Sequence, residues 1–163
     1  MAVNREKLDN LILFFAGNSK ITTLGTTKLY KLLFFADVFH LRDFGHTITS
    51  SEYIKYPHGP VPSKGEKALK SLKKENAIVV TRKQLGNDRE LHQIKAIRPA
   101  NLSIFSETEI QVMERVVIEL GNHTAAALSN ASHKEPSWAL AQLSKPLDVD
   151  LMLYGVEEDP NGL

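Results

Sequence analysis

With 163 residues, 42% of them apolar and 24% charged, the chain is long enough to bury a substantial core and too apolar to stay disordered. A formal charge of +1 gives no global field toward nucleic acid or an anionic membrane, and the absence of cysteine excludes disulfides, thiolate nucleophiles and Cys-ligated zinc. The apolar run Leu11 to Ala16 is too short for a signal-peptide core or a membrane span, so the expected location is the cytoplasm.

Leu8, Leu11, Ile12 and Phe15 recur at helical spacing and Gly17-Asn18 supplies a stop, which predicts a first helix over residues 4–16. Lys28 to Leu41 is apolar on every side of a helix rather than along one stripe, the pattern of a central element; Thr26 or Thr27 can cap it and Gly45 can end it. Thr49 with Glu52 has capping-box spacing and predicts a short helix over Ser50 to Tyr56. Gly59-Pro60-Val61-Pro62 then reads as a rigid connector into a helix over Ser63 to Glu75, whose Ala68, Leu69 and Leu72 face inward. The runs from Ala77 to Thr81 and from Leu91 to Ile97, joined around Gly86-Asn87-Asp88, predict a β-hairpin. Ser106 with Glu109 forms a capping box for a helix with an Ile110, Met113, Val117 and Leu120 stripe; a helix over Thr124 to Ser132 follows, and Pro136 opens a last one carrying Trp138. The elements define an α+β fold: a mostly α-helical single domain over residues 1–155 with a small antiparallel hairpin, a winged-helix-like helix-hairpin segment, and a flexible acidic tail over 156–163.

Four constellations are candidates for function. Asp37 and His40 stand three apart in the apolar helix, where burial demands partners; bonding to each other or to the segment around Ser132-His133 would make Asp37, His40 and His133 a structural polar node. Acid/base chemistry by the same pair lacks a nucleophile context, phosphate loop or cofactor fingerprint, and a metal site from Asp37, His40, His58 and His133 lacks ligand spacing, so no cofactor or metal is expected. Lys64, Lys67, Lys70, Lys73 and Lys74 form a basic stripe before a hairpin with Arg82, Lys83 and Arg89, the layout of a winged-helix DNA reader. Glu66, Glu75, Asp88 and Glu90 dilute it, so the expectation is no specific duplex binding at physiological salt, with a solvated face or an acidic protein patch as the competing explanations. Finally, Tyr53, Tyr56, Pro57, His58 and Pro60, joined by Trp138 if the C-terminal helix folds back, combine aromatic area with a pre-ordered turn as a protein-binding surface would.

The order of these pieces resembles the Panacea domain of SocA-like antitoxins, a family of phage-associated proteins. The resemblance is carried by Lys28-Leu29-Tyr30-Lys31-Leu32-Leu33-Phe34-Phe35-Ala36-Asp37 with His40-Leu41, by Gly45, Ile48-Thr49 and Tyr53, by Gly59-Pro60-Val61-Pro62, and by Ser132-His133 with Pro136 and Trp138. Lys55-Tyr56-Pro57-His58 departs from the pattern through its extra Pro, so the approach to Gly59 differs. The resemblance implies a non-enzymatic antitoxin of a toxin-antitoxin system that neutralises a cognate protein toxin by binding it, or an adaptor that delivers the toxin to a cellular protease. Partner-binding residues are then Tyr53, Tyr56, His58, Gly59, Pro60, Val61 and Trp138, with neither membrane nor specific nucleic acid as partner and nothing opposing a homo-oligomer.

Overall fold

A computed structural model describes residues 2–155; the expected tail over 156–163 lies outside the described residues. Helix α1 (Arg5–Ala16) buries Leu8, Leu11, Ile12 and Phe15 as its spacing requires, with Asn4 as its N-cap. Helix α2 (Thr26–Phe44) is the axis of the molecule, buried from Lys28 to Leu41 except at Phe39, because apolar residues occupy every side of it and its interior polar side chains find partners. Its cap differs from expectation. Gly25 occupies the N-cap and makes no side-chain cap bond, which leaves Thr26 and Thr27 in the first turn, while Gly45, at φ 90°, ends the helix and donates its amide to the Leu41 carbonyl.

The helix expected over Ser50 to Tyr56 is not formed. Thr49 spends its hydroxyl on the Asp37 carboxylate (2.6 Å) and Ser50 sits at φ +54°, outside helical space, so no capping box can assemble. The chain instead runs as strand β1 (Tyr53–Tyr56), turns at Pro57-His58 and returns as β2 (Gly59–Pro62), antiparallel with Tyr53 opposite Pro62 and Tyr56 opposite Gly59. Gly59-Pro60-Val61-Pro62 is thus a strand rather than a connector, and its two prolines suit an edge strand, where a missing N–H costs no ladder bond. On its other side β1 is tied to the C-terminal segment, the Lys55 amide donating to the Lys145 carbonyl at 2.9 Å and the Leu147 amide to the Tyr53 carbonyl at 2.8 Å.

Helix α3 (Gly65–Lys74) packs Ala68 and Leu72 inward, and β3 (Ile78–Gln84) and β4 (Glu90–Ala96) form the second hairpin with Ile78 opposite Ala96. Its turn holds Gly86, Asn87 and Asp88 all at positive φ. In α4 (Glu107–Leu120) the capping box is complete, the Ser106 hydroxyl accepting from the Glu109 amide while the Glu109 carboxylate accepts from the Ser106 amide. Helices α5 (Ala125–His133) and α6 (Pro136–Ala139) follow, with Pro136 in the first turn of α6. One apolar cluster lies among α1, α2, α3, α4 and the β3–β4 hairpin, and a second gathers Phe34, Phe35, Val38, Tyr53, Leu147 and Met152 on the opposite flank of α2. The first hairpin spans the two, Tyr53 of β1 joining the second cluster and Val61 of β2 packing against the first.

Candidate partner-binding site

Four buried polar side chains, Lys28, Lys31, Asp37 and His40, sit on α2, and each holds another segment in place. The Asp37 carboxylate is wholly buried and accepts from the Ile48 and Thr49 amides, both at 2.8 Å, and from the Thr49 and Tyr53 hydroxyls, both at 2.6 Å. Burial pushes its pKa up, and the hydrogen bonds from Thr49, Tyr53 and Ile48 oppose that rise. His40 is equally buried but faces elsewhere: its Nδ1 meets the His46 carbonyl at 2.5 Å and its Nε2 the Thr108 hydroxyl at 2.9 Å, joining the α2 terminus to the start of α4. The expected single node is therefore two. Three-residue spacing puts Asp37 and His40 on adjoining positions, yet each side chain reaches a different loop, and neither contacts Ser132 or His133.

Lys28 and Lys31 are as buried as the aspartate. Lys28 Nζ donates to the Thr22 carbonyl and, at 2.7 Å, to the Gly121 carbonyl, where its charge also meets the negative end of α4. Lys31 Nζ donates to the Pro60 carbonyl at 2.8 Å, and desolvation lowers its pKa to about 8. Its methylenes lie against Gly59, whose φ of +115° suits glycine; a Cβ there would stand 2.4 Å from Lys31 Cε and 2.5 Å from Ser132 Oγ. From α5, Ser129 Oγ donates to the His58 carbonyl at 2.7 Å, and Ser132 Oγ turns back to the Ser129 carbonyl at 2.7 Å. The β1–β2 hairpin is thereby fastened at Tyr53, Pro60 and His58 to two helices.

What remains exposed is its tip, Tyr56-Pro57-His58. The C-terminal segment does fold back on it: Trp138 Nε1 donates to the Tyr56 carbonyl at 3.1 Å, and the indole lies between His133, stacked at 4.1 Å between ring centroids, and Lys55, whose Nζ is 4.2 Å from the ring centre. Lys55 Nζ also donates to the Ala141 carbonyl at 3.1 Å. His133 Nε2 and Ser137 Oγ are buried here without a hydrogen-bond partner among the described residues. His133 thus belongs with Trp138 and not with Asp37.

The structure brings Trp138 onto the strand that ends in the exposed Tyr56-Pro57-His58 tip, turns Val61 half-buried toward the first apolar cluster, and withdraws Tyr53, Gly59 and Pro60 from the surface. Tyr53 is core: its ring packs edge-on against Phe34 at 5.2 Å and its hydroxyl is committed to Asp37. Tyr53, Gly59 and Pro60 therefore support the tip from beneath. Asp37, His40, His58 and His133 are not gathered: among the described residues no three His, Asp or Glu side chains group as a metal site requires. Lys64, at the N-cap, and Lys67, Lys70 and Lys74 on α3 lie exposed. Sequence reasoning gave no role to Lys28, Lys31, Lys55 or Ser129, and it placed Ser132 with Asp37 where the structure bonds it to the Ser129 carbonyl. A signal existed for Lys28 and Lys31, since a lysine inside an all-round apolar helix raises the same question of partners as Asp37 does.

The fold is an α+β assembly in which a central buried helix anchors a short hairpin, and a tryptophan stacked on His133 lies against the strand end of that hairpin. The chain belongs to the antitoxin SocA-like, Panacea domain family, whose model matches residues 29–139, from α2 through Trp138. Comparison with curated proteins and with solved structures found no match. Family membership supports an antitoxin role. Among the described residues no helix is long and apolar enough to cross a membrane.

Proposed function

We propose that this chain neutralises a cognate protein toxin by direct binding in the cytoplasm, without covalent chemistry, and that the hairpin tip with Trp138 forms the contact. The observation that supports this most is the convergence of Tyr56, Pro57 and His58 with Trp138 on a hairpin fixed by Tyr53, Pro60 and His58. A tip held in one conformation loses little entropy on docking, and amphipathic aromatics give large contact area, the two properties that concentrate binding energy in few residues. Co-expression with the product of the neighbouring gene tests the reading: the two proteins should co-purify and growth should be restored. No rescue together with no complex would refute it. Rescue accompanied by protease-dependent loss of the toxin would keep the contact and make the chain an adaptor for degradation.

A further inference from the structure

The near-neutral charge of the whole chain conceals a sharp division. Residues 64–98 contain ten Lys and Arg against four Asp and Glu, a net +6, which leaves −5 on the remainder of a +1 chain. The fold gathers this segment into one unit, α3 leading directly into the β3–β4 hairpin, and all ten basic side chains are exposed. Among the described residues only Lys70, Arg82 and Arg98 have a carboxylate partner, and those three pairs are themselves exposed and weak. We propose that α3 and the β3–β4 hairpin bind the phosphate backbone of duplex DNA without reading its sequence.

Three observations choose this occupant. The unit contains no Phe, Tyr or Trp between Ser63 and Arg98, so it has no stacking platform for the unpaired bases of a single strand. Its exposed helix face is built from lysine, the residue that protein interfaces deplete and that phosphate contacts favour, which argues against an acidic protein surface. A helix of 10 residues, about 10–12 Å across with its side chains, fits the roughly 12 Å width of a B-form major groove and leaves the two-stranded basic arm for the flanking phosphates, whereas the narrow major groove of duplex RNA would exclude it. Sequence readout is not part of the proposal, because Lys64 at the N-cap and Lys67, Lys70, Lys73 and Lys74 on α3 are flexible point charges, and the helix has no Arg, Asn or Gln whose planar group would span a base edge.

Fluorescence anisotropy of the full chain with a labelled 20-base-pair duplex of arbitrary sequence tests it. Binding should be measurable at about 50 mM salt, be indifferent to sequence, and weaken with a log–log salt slope of about −3 to −5, as four or five phosphate contacts require. Lys67→Glu with Lys70→Glu should reduce affinity at least tenfold at that salt, and Lys67→Gln with Lys70→Gln should do so to a smaller degree. Lys20→Glu with Lys134→Glu makes the same change in net charge outside the unit and should leave most of the affinity. The proposal is overturned by absence of binding at 50 mM salt, by equal loss in the Lys20/Lys134 variant, or by a Lys67/Lys70 variant that keeps duplex affinity and loses a protein complex instead. Toxin rescue should survive the Lys67/Lys70 changes, which separates this surface from the hairpin tip.

Discussion

Asp37→Ala removes the one group that accepts four buried hydrogen bonds, and the size of the loss follows from what is left behind. The Ile48 and Thr49 amides are buried and point at the carboxylate; an unsatisfied buried donor costs about 1–3 kcal/mol, so the pair alone places the loss near roughly 2–6 kcal/mol. The Thr49 hydroxyl has Ser51 Oγ at 2.7 Å as a second partner and adds less, and the Tyr53 hydroxyl, at the bottom of the hairpin, loses its one acceptor. For a chain of this length each 1 kcal/mol moves the midpoint by roughly 2–4 °C, so thermal denaturation followed by circular dichroism should show a fall of roughly 4–24 °C. Tyr53→Phe deletes a single donor and leaves the carboxylate three others, and should cost about 1 kcal/mol. A loss under 1 kcal/mol for Asp37→Ala, or equal losses for the two variants, would refute the view that this carboxylate organises the loop and the hairpin.

Gly59→Ala forces a side chain onto a backbone at φ +115° and into Lys31 and Ser132; a loss of about 3 kcal/mol in chemical denaturation is expected, with toxin rescue weakened at the growth temperature. Lys31 titrates near 8 in the folded protein against about 10.5 unfolded, so between those values the unfolded chain holds more proton and stability rises with pH, by about 3 kcal/mol in total. Urea denaturation of the wild type and of Lys31→Met, compared at pH 7.5 and 9.5, should show the wild type gaining on the variant as pH rises; a constant difference would contradict the buried charge.

The helices were legible because their signals are local. The Ser106–Glu109 box, the α1 stripe and the all-round apolarity of α2 each set an element from its own residues, as did the turn around Gly86 to Asp88 for the second hairpin. The first hairpin was not legible, because what decides it lies eleven or more residues away: Asp37 takes the Thr49 hydroxyl that a local capping box would need, and Lys31 and Ser129 hold the returning strand. The site was half legible for the same reason. Aromatic and turn chemistry marked Tyr56, His58 and Trp138, whereas the withdrawal of Tyr53 into the core depends on a carboxylate sixteen positions earlier. The division of charge was present in the composition and was hidden by summing over the whole chain.

The proposed contact at the hairpin tip is tested most directly by isothermal titration of the purified chain, wild type and Trp138→Ala, against the product of the neighbouring gene, the toxin that the proposal requires. Loss of the indole removes the stacked His133 contact and the bond to the Tyr56 carbonyl together with the aromatic surface. The affinity should fall by about 2 kcal/mol or more, roughly thirtyfold, with the circular dichroism spectrum unchanged. Wild-type affinity in a folded Trp138→Ala variant would contradict the assignment of the tip as the toxin-binding surface.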